Sequence, residues 1–372
     1  MAVKLLLVDD SIFMRNAIKK MLAVPEIEII GTANNGKEAV EKNLSLHPDV
    51  ILTDIEMPVM DGLEEIKQVM ATNPTPIIVF SSLSKEGSEV TMKALEYGAL
   101  DFVSKESTPQ ESSTAKDELI KKIVAWGSNK FVRANLKAKF SRSGHTQTAI
   151  QPEPKIVPKT QSLVSPNYTG NKRRPKAEDI KIVCIGISTG GPVALQEVIP
   201  AISANYPVPI LIVQHMPPHF TASLANRLDQ TSALKVVEAE DGIQLKPGTV
   251  YIAKGGYQML VSKHDTLQVT DKIKGELFNP SVNVMVNSVV DVYKDKAVGI
   301  IMTGMGNDGQ IALNNLNKAG GYVIAQSKDS CVVAGMPGSV IDNKIAHEVQ
   351  PLHNIAGTIS SFFHKKSETD SK

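Results

Sequence analysis

The sequence is poor in cysteine, with Cys184 and Cys331 as the only two in 372 residues. Two thiols cannot build a disulfide framework or a four-cysteine zinc site, so we expect both to be small buried apolar residues. An excess of charge of one sign is also lacking, because 40 Lys and Arg against 39 Asp and Glu give a formal net charge of +1. A nearly neutral chain has no bulk attraction for nucleic acid or for acidic membrane surfaces.

Long hydrophobic runs are absent as well. No stretch approaches the roughly 18 consecutive apolar residues that a membrane-spanning helix needs. The segment MAVKLLLVDD reaches two acidic residues after one short apolar run, so we expect no secretory leader. These absences predict a cytoplasmic protein without membrane insertion, and a monomer is the favoured oligomeric state. A hydrophobic content of 42% is typical of a soluble globular chain.

What the sequence does contain is two blocks in which apolar strands alternate with amphipathic helices. The first block is 1–125, closed by a helix over roughly 114–140, and the second is 179–364, interrupted by a hairpin-like region near 234–270. Strands that alternate with helices pair in parallel, so each block predicts a doubly wound parallel-sheet α/β domain. The strand candidates are VKLLLV (3–8), IEIIGTA (27–33), DVILT (49–53), PIIVF (76–80), DFVS (101–104), IKIVCIGI (180–187), VPILIVQ (208–214), TVYIA (249–253), AVGIIM (297–302) and YVIAQ (322–326).

Between the two blocks the periodicity disappears. Residues 141–178 are dominated by proline, serine, threonine and basic residues, which predicts a semi-extended linker. Residues 365–372 are polar and predict a disordered tail. The amphipathic stretch IAGTISSFF before the tail is expected to pack on the second domain.

Acidic and polar residues follow the strand candidates of the first block. Asp9 and Asp10 follow the first strand, and Asp54 follows the third. Ligands of an open parallel sheet bind at the carboxyl ends of its strands, so these side chains should meet at one edge. Clustered carboxylates repel each other and need a cation, and hard oxygen ligands suit Mg²⁺. Ser81 after the fourth strand and Lys105 after the fifth add a hydroxyl and an ammonium group for an anion.

Together these groups describe a site that accepts a phosphoryl group on a carboxylate. Asp54, at the end of the central strand, is the best acceptor. Single aspartates often do no more than cap the helix that follows a strand. The complete set at the expected strand ends favours the phosphoacceptor interpretation.

The segments LLLVDDS, DVILTDIEMPVMDG, VFSS and DFVSK resemble the receiver domain of response regulators over essentially all of residues 1–125. The resemblance implies a flavodoxin-like fold with Asp54 as the phosphorylated residue. The Mg²⁺ ligands that it implies are Asp9, Asp10 and Asp54. The residues that it assigns to the conformational switch are Ser81, Phe102 and Lys105.

The stretch CIGISTGG at 184–191 allows two interpretations. Its glycines would suit a nucleotide phosphate, but a dinucleotide fingerprint needs G-x-G-x-x-G and an acidic residue at the end of the next strand. Here Ser188 replaces the middle glycine, and the next strand ends in Gln214 and His215. Both departures argue against a nucleotide-binding oxidoreductase.

The other interpretation is a G-x-S-x-G turn that presents Ser188 as a nucleophile. Such a serine needs a base and a third group that orients the base. His215 ends the next strand and Asp308 follows AVGIIM, so all three can meet at one sheet edge. A capping serine, a structural histidine and a turn-forming aspartate are each common, but their joint placement favours a triad. Neither His219 nor His264 clearly ends a core strand.

The glycines of TGMGNDG allow backbone amides to point inward at the same edge. The amide of Met305 is therefore the candidate oxyanion donor.

The stretches IGISTGGPVALQ, IVQHMPPHFTASLANRL, GIIMTGMGNDG and SCVVAGMPGSVI closely resemble the catalytic domain of chemotaxis protein-glutamate methylesterases, over about 180–350. The resemblance implies that Thr189 and Met305 line the site. The triad that it implies is Ser188, His215 and Asp308.

Several functional expectations come with this resemblance. It implies hydrolysis of glutamate γ-methyl esters on methyl-accepting chemoreceptors, deamidation of certain receptor glutamines, and a chemotaxis histidine kinase as phosphodonor. Phosphorylation of Asp54 would activate the esterase, and no metal or organic cofactor would serve the ester step. The alternative class is a phosphorylation-dependent regulator whose second domain only docks to receptors, which would be expected to carry an incomplete triad.

Overall fold

The structure is a computed structural model that describes residues 2–105, 113–129, 134, 136, 140 and 174–363. Most of the predicted linker and the whole of the predicted tail lie outside the described residues. Within the described part of the chain, no helix combines the length and apolar character that crossing a membrane requires.

The N-terminal domain is a parallel α/β sheet whose elements follow the predicted alternation. Its elements are β1 (Val3–Val8), α1 (Ile12–Met21), β2 (Ile27–Ala33), α2 (Gly36–Leu46), β3 (Val50–Asp54), α3 (Gly62–Thr72), β4 (Ile77–Ser81), α4 (Lys85–Tyr97), β5 (Asp101–Ser104) and α5 (Ser113–Ser128). The strand order is β2-β1-β3-β4-β5, all parallel. Its central strands are almost wholly buried, as expected for a parallel sheet covered by helices on both faces.

Short polar side chains fix where the helices of this domain begin. Ser11, Asn35, Asp61 and Ser84 each accept a hydrogen bond from the backbone N–H three residues later. These bonds satisfy N–H groups that have no partner within the first turn of a helix. The helices therefore start shortly after the strand ends and leave the strand-end residues gathered at one edge.

The predicted closing helix over roughly 114–140 lies partly outside the described residues, and Asn129 interrupts it within them. Helix α5 ends at Ser128 and Asn129 is not helical, although Ala134 and Phe140 are again in helical conformation. The break falls in the sequence Gly-Ser-Asn, which has weak helix propensity. Gly127 also packs so closely on β1 that an added Cβ would lie 2.2 Å from Val3 Cγ1.

The C-terminal domain is a larger parallel sheet. Its elements are β6 (Ile182–Ile187), α6 (Gly191–Val198), β7 (Ile210–Gln214), α7 (Phe220–Thr231), β8 (Lys235–Glu238), β9 (Thr249–Ile252), β10 (Gln258–Val261), β11 (Leu267–Thr270), α8 (Val282–Tyr293), β12 (Ala297–Ile301), α9 (Gln310–Lys318), β13 (Tyr322–Gln326), α10 (Gly335–Asp342), β14 (Glu348–Gln350) and α11 (Leu352–Ser361). The order is β14-β13-β12-β6-β7-β9-β8, and every pair is parallel. Helix α11 packs against α6, as predicted for IAGTISSFF.

The hairpin-like region near 234–270 is only partly a hairpin. Strands β10 and β11 pair antiparallel, but β8 is the edge strand of the main sheet and pairs in parallel with β9. Strand β14 was not predicted and forms the opposite edge. Both edge strands are short, at four and three residues, so their local pattern could not distinguish them from loops.

The two domains contact each other where α4 and β5 meet α7. The ring of Phe102 in β5 stacks on Phe220 of α7, with centroids 4.4 Å apart and planes 3° from parallel. Both rings are buried. Arg227 of α7 forms a partly exposed ion pair with Glu96 of α4 at 2.7 Å. Because partly exposed ion pairs contribute little, the stacked rings are the stronger of these two contacts.

Candidate active site and acidic site

The carboxyl edge of the N-terminal sheet holds a cluster of acids. Asp9, Asp10 and Asp54 each offer a carboxylate oxygen, and these oxygens lie within 4.8 Å of one another. Lys105 Nζ donates a hydrogen bond of 2.6 Å to Asp54 Oδ2. The structure therefore brings these four predicted residues together.

The surroundings of this cluster disfavour the ionised forms of two of its carboxyl groups. Burial raises the pKa of Asp9 to about 6, with the charges of Asp54 and Asp10 adding to the effect against the opposing Ser11 amide and Lys105. Burial also raises the pKa of Asp54 despite its bonds to Lys105. Three crowded carboxylates, two of them with raised pKa values, fit a small divalent cation such as Mg²⁺, because the cation offsets their repulsion.

The two remaining switch residues point elsewhere in this conformation. Ser81 is buried, accepts a 2.7 Å hydrogen bond from Thr91 Oγ1, and donates to the Gly87 carbonyl at 3.2 Å. Its hydroxyl is thus bonded to α4. Phe102 lies in the interface against Phe220, so neither residue is part of the acidic cluster.

Sequence reasoning missed a buried acid beneath this cluster. Glu65 of α3 is fully buried and accepts a 2.7 Å hydrogen bond from Thr53 Oγ1. Burial raises the pKa of Glu65 to about 8, with the nearby Asp54 charge adding to it and the Thr53 bond opposing it. The neighbouring Glu64 is exposed, and only the helical phase of α3 distinguishes the two.

The carboxyl edge of the C-terminal sheet brings Ser188 and His215 to adjacent strand ends. The register pairs Ile187 of β6 with Gln214 of β7. The His215 amide donates to the Ile187 carbonyl at 3.1 Å, and Gln214 Nε2 donates to the Ser188 carbonyl at 2.9 Å. Neighbouring strands lie about 4.8 Å apart, so the two residues are direct neighbours.

His215 is bonded to Asp308 through one ring nitrogen. Its Nε2 lies 2.8 Å from Asp308 Oδ2, whereas its Nδ1 is buried and has no hydrogen-bond partner among the described residues. A bond from the Ser188 hydroxyl to Nδ1 is therefore not formed in this conformation. Catalytic hydrogen bonds often form only once substrate is bound, so this geometry is compatible with a nucleophile and base pair.

Asp308 lies at the N-terminus of α8, which the sequence did not reveal. It accepts hydrogen bonds from the amides of Val282 and Asn283 at 2.7 and 3.0 Å and from Ser281 Oγ at 3.2 Å. Burial alone would raise the pKa of Asp308, but the His215 bond and charge and the two amides outweigh it and hold the pKa below its usual value. The carboxylate therefore stays ionised beside His215.

The two glycines after Ser188 serve backbone geometry and close packing. Gly190 has φ = 77°, a left-handed conformation that favours glycine. A Cβ at Gly191 would lie 1.9 Å from Gln214 Oε1, so only glycine allows Gln214 to reach the Ser188 carbonyl. Gly190 is the last glycine of the G-x-S-x-G turn, and Gly191 follows it at the start of α6.

A cleft of about 450 Å³ contains these groups and lies between the two domains. Ser188, Thr189, His215 and Met305 line it from the C-terminal domain. Residues of β5 and α5 line its other side, among them Phe102. The cleft is thus partly covered by the N-terminal domain.

Two other histidines and both cysteines lie outside the cleft. His219 and His264 are exposed and do not line the cleft. Cys184 and Cys331 are buried and unpaired, which confirms the expectation of small apolar residues.

Comparison with known proteins gives a consistent result for both halves. Residues 183–359 match the family model described as CheB methylesterase, and residues 5–116 match the response regulator receiver domain. A curated protein of Symbiobacterium thermophilum, named protein-glutamate methylesterase/protein-glutamine glutaminase, is 40% identical over 96% of both chains. One of the same name from Halalkalibacterium halodurans is 41% identical over 96% of this chain and 97% of that protein.

Solved structures of Thermotoga maritima CheB are also similar to the two halves. Its methylesterase catalytic domain is 43% identical, covers 49% of this chain and 98% of that chain, and gives a TM-score of 0.48. Its response regulator domain is 41% identical, covers 34% and 98%, and gives a TM-score of 0.31.

Proposed function

Because the chain belongs to the protein-glutamate methylesterase/protein-glutamine glutaminase family, with a receiver domain ahead of its catalytic domain, we propose that it is a phosphorylation-regulated chemotaxis adaptation enzyme. Its substrates are glutamate γ-methyl esters, and certain glutamines, of methyl-accepting chemoreceptors. The observation that carries the proposal is the bonded His215–Asp308 pair beside Ser188 in one cleft.

The chemistry follows from which nitrogen of His215 is engaged. Asp308 binds Nε2, so Nδ1 is the base that takes the Ser188 proton as the serine oxygen attacks the ester carbonyl. The imidazolium then gives this proton to the departing methoxide, and methanol leaves an acyl-enzyme. Water, deprotonated by Nδ1, attacks the acyl carbon and yields the glutamate carboxylate and free Ser188. Glutamine deamidation uses the same steps with ammonia as the leaving group.

Two further groups support this path. The ionised Asp308 stabilises the imidazolium formed at each proton transfer. No hydrogen bond from the Met305 amide occurs among the described residues, so we assign it, with Thr189, to the developing oxyanion. No metal is assigned to the ester step.

Regulation is assigned to the acidic site. Asp9, Asp10 and Asp54 would hold Mg²⁺, which supplies positive charge against the phosphoryl oxygens when a histidine kinase phosphorylates Asp54. Ser81 and Phe102 then turn inward. Because Phe102 is stacked on Phe220 beside the cleft, this movement removes a buried contact between the domains and favours an open cleft. A tenfold activation requires a bias of only about 1.4 kcal/mol.

The test is methanol release from methylated receptor membranes by wild type and Ser188→Ala. We expect release by wild type and a loss of more than about 10³-fold in the variant, which also fails to react with a fluorophosphonate probe. Full activity in Ser188→Ala would end the serine hydrolase proposal.

A further inference from the structure

The ring of Phe278 lies flat on the catalytic base. Its centroid is 4.4 Å from that of His215, and the two planes differ by 1°. Phe278 is only partly buried and lines the same cleft as Ser188. It belongs to the loop before α8, and its neighbour Leu277 is 88% exposed. The stacking is therefore a specific contact of one loop residue with the imidazole.

A buried amide holds this loop in place. Gln258 of β10 is fully buried, and its Nε2 donates to the Phe278 carbonyl at 2.7 Å and to Asn279 Oδ1 at 2.8 Å. Its Oε1 accepts from the Ser281 amide at 2.9 Å. Ser281 in turn bonds Asp308, so one side chain fixes the segment that contacts both His215 and its carboxylate partner.

The stacked ring affects the two states of His215 differently. The face of an aromatic ring carries partial negative charge and attracts a cation, so Phe278 stabilises the imidazolium more than the neutral imidazole. The flat contact also limits rotation of the imidazole, which keeps Nε2 on Asp308 and Nδ1 available to Ser188. Burial by the ring acts in the opposite sense, because it removes water from the charged form.

We propose that Phe278 is a positioning residue for the esterase reaction, which orients His215 and stabilises its imidazolium, and that Gln258 holds Phe278 there. The inference rests on the proposed function of His215 as general base. It predicts that an aromatic ring at position 278 raises kcat above the value that an apolar side chain without an aromatic face supports.

The experiment compares Phe278→Leu, which keeps apolar cover without an aromatic face, with Phe278→Tyr and Phe278→Trp. Full-length proteins are activated with Mg²⁺ and an acyl phosphate, and methanol release from methylated receptor membranes gives kcat and KM. We expect Phe278→Leu to lower kcat about tenfold with KM changed less than twofold, and the aromatic variants to retain more than half of the wild-type kcat. Ile273→Ala changes an exposed apolar residue of the same loop that does not line the cleft, so it is the matched control and should behave like wild type.

The pH profile of kcat/KM distinguishes an effect of Phe278 on the imidazolium of His215 from an effect of Phe278 on packing alone. Without the aromatic face the protonated imidazole is less stable, so the acid limb of kcat/KM should move to lower pH in Phe278→Leu and stay in place in Phe278→Tyr. Asp308 is bonded to the imidazole, and the charged residues that line the cleft from the N-terminal domain are Asp101, Asp117, Glu118, Lys121 and Lys122. All of them are unchanged in these variants.

Two results would contradict the proposed role of Phe278. A Phe278→Leu enzyme with wild-type kcat and pH profile, or an aromatic variant as impaired as Phe278→Leu, would overturn it. If Phe278→Leu does not fold, as judged by thermal unfolding, the comparison of Phe278→Tyr with Phe278→Met gives the same contrast. The Ser188→Ala control keeps the two proposals apart, because methanol release that persists in that variant refutes the serine mechanism whatever Phe278 does.

Discussion

The acidic site of the N-terminal domain and the Ser188–His215–Asp308 site of the C-terminal domain both lie at the carboxyl edge of a parallel sheet, yet their carboxylates behave in opposite ways. Burial raises the pKa values of Asp9 and Asp54, and the charges of neighbouring carboxylates add to the effect at Asp9. Asp308 is also buried, but His215 and the first amides of α8 hold its pKa below the usual value. The difference lies in which effect is larger, because burial outweighs the donors of Asp54, including Lys105, whereas His215 and the two amides outweigh burial at Asp308.

The comparison separates two kinds of negative charge. The acidic site gathers three carboxylates, so it is suited to binding a cation and to reversible phosphorylation of Asp54. The catalytic site satisfies one carboxylate completely, so this charge is permanent and can support a transient imidazolium. The same sheet edge thus provides a switch in one domain and a fixed catalytic charge in the other.

The largest expected effect comes from removing the permanent charge. Asp308→Asn should lower methanol release by about 10³- to 10⁴-fold, because the amide cannot stabilise the imidazolium or hold the required tautomer. Asp329→Asn, which changes an exposed acid of the same domain, should leave release unchanged. Activity within tenfold of wild type in Asp308→Asn would show that the catalytic site does not depend on a fixed charge.

The acidic site should instead respond to pH. The pKa of Asp9 is raised from 3.8 to about 6, so this carboxyl takes up a proton as the pH falls through about 6. Protons then compete with Mg²⁺, and affinity should fall by up to about tenfold per pH unit below this value. Calorimetric titration of the full-length protein with Mg²⁺ at several pH values measures this affinity. Asp9→Asn should bind Mg²⁺ more weakly and with a smaller pH dependence.

If the affinity of the wild-type protein for Mg²⁺ does not change between about pH 7 and pH 5, the raised pKa of Asp9 is contradicted.

The smallest effect concerns the contact that couples the two sites. Glu96→Arg places two cations where α4 meets α7 and should raise methanol release by the unphosphorylated protein about two- to threefold, because exposed pairs contribute only about 0.2–1 kcal/mol. The double variant with Arg227→Glu restores an ion pair and should return the rate to the wild-type value. Lys235→Glu, which breaks an ion pair with Asp229 inside the C-terminal domain, is the control. A lower rate in Glu96→Arg would argue against coverage of the cleft as the means of inhibition.

Much of the fold followed from local pattern. The five strands of the N-terminal domain lie within one residue of their predicted positions, because buried runs flanked by polar strand ends are a strong signal. The short edge strands β8 and β14 escaped prediction, since their pairing depends on partners far along the chain. The interruption of the closing helix at Asn129 was not predicted, because the helical periodicity continues past Gly127, where contact with β1 favours glycine.

The site residues that could be predicted are those that lie at or directly after the end of a strand. Asp54, Ser188 and His215 each end or follow a strand, and sheet topology alone gathers such residues. Glu65 and Phe278 were not found, because one is distinguished only by helical phase and the other lies in a loop without periodicity.

The sequence by itself determined which residues stand at the ends of buried parallel strands, because hydrophobic alternation is a local property that fixes strand positions. Tertiary structure alone decided which nitrogen of His215 is engaged, that the N-terminus of α8 binds Asp308, and that Phe102 faces α7 in place of the acidic site. These features depend on distances between segments that are remote along the chain. Such distances are set by how the layers pack, which no local pattern of residues encodes.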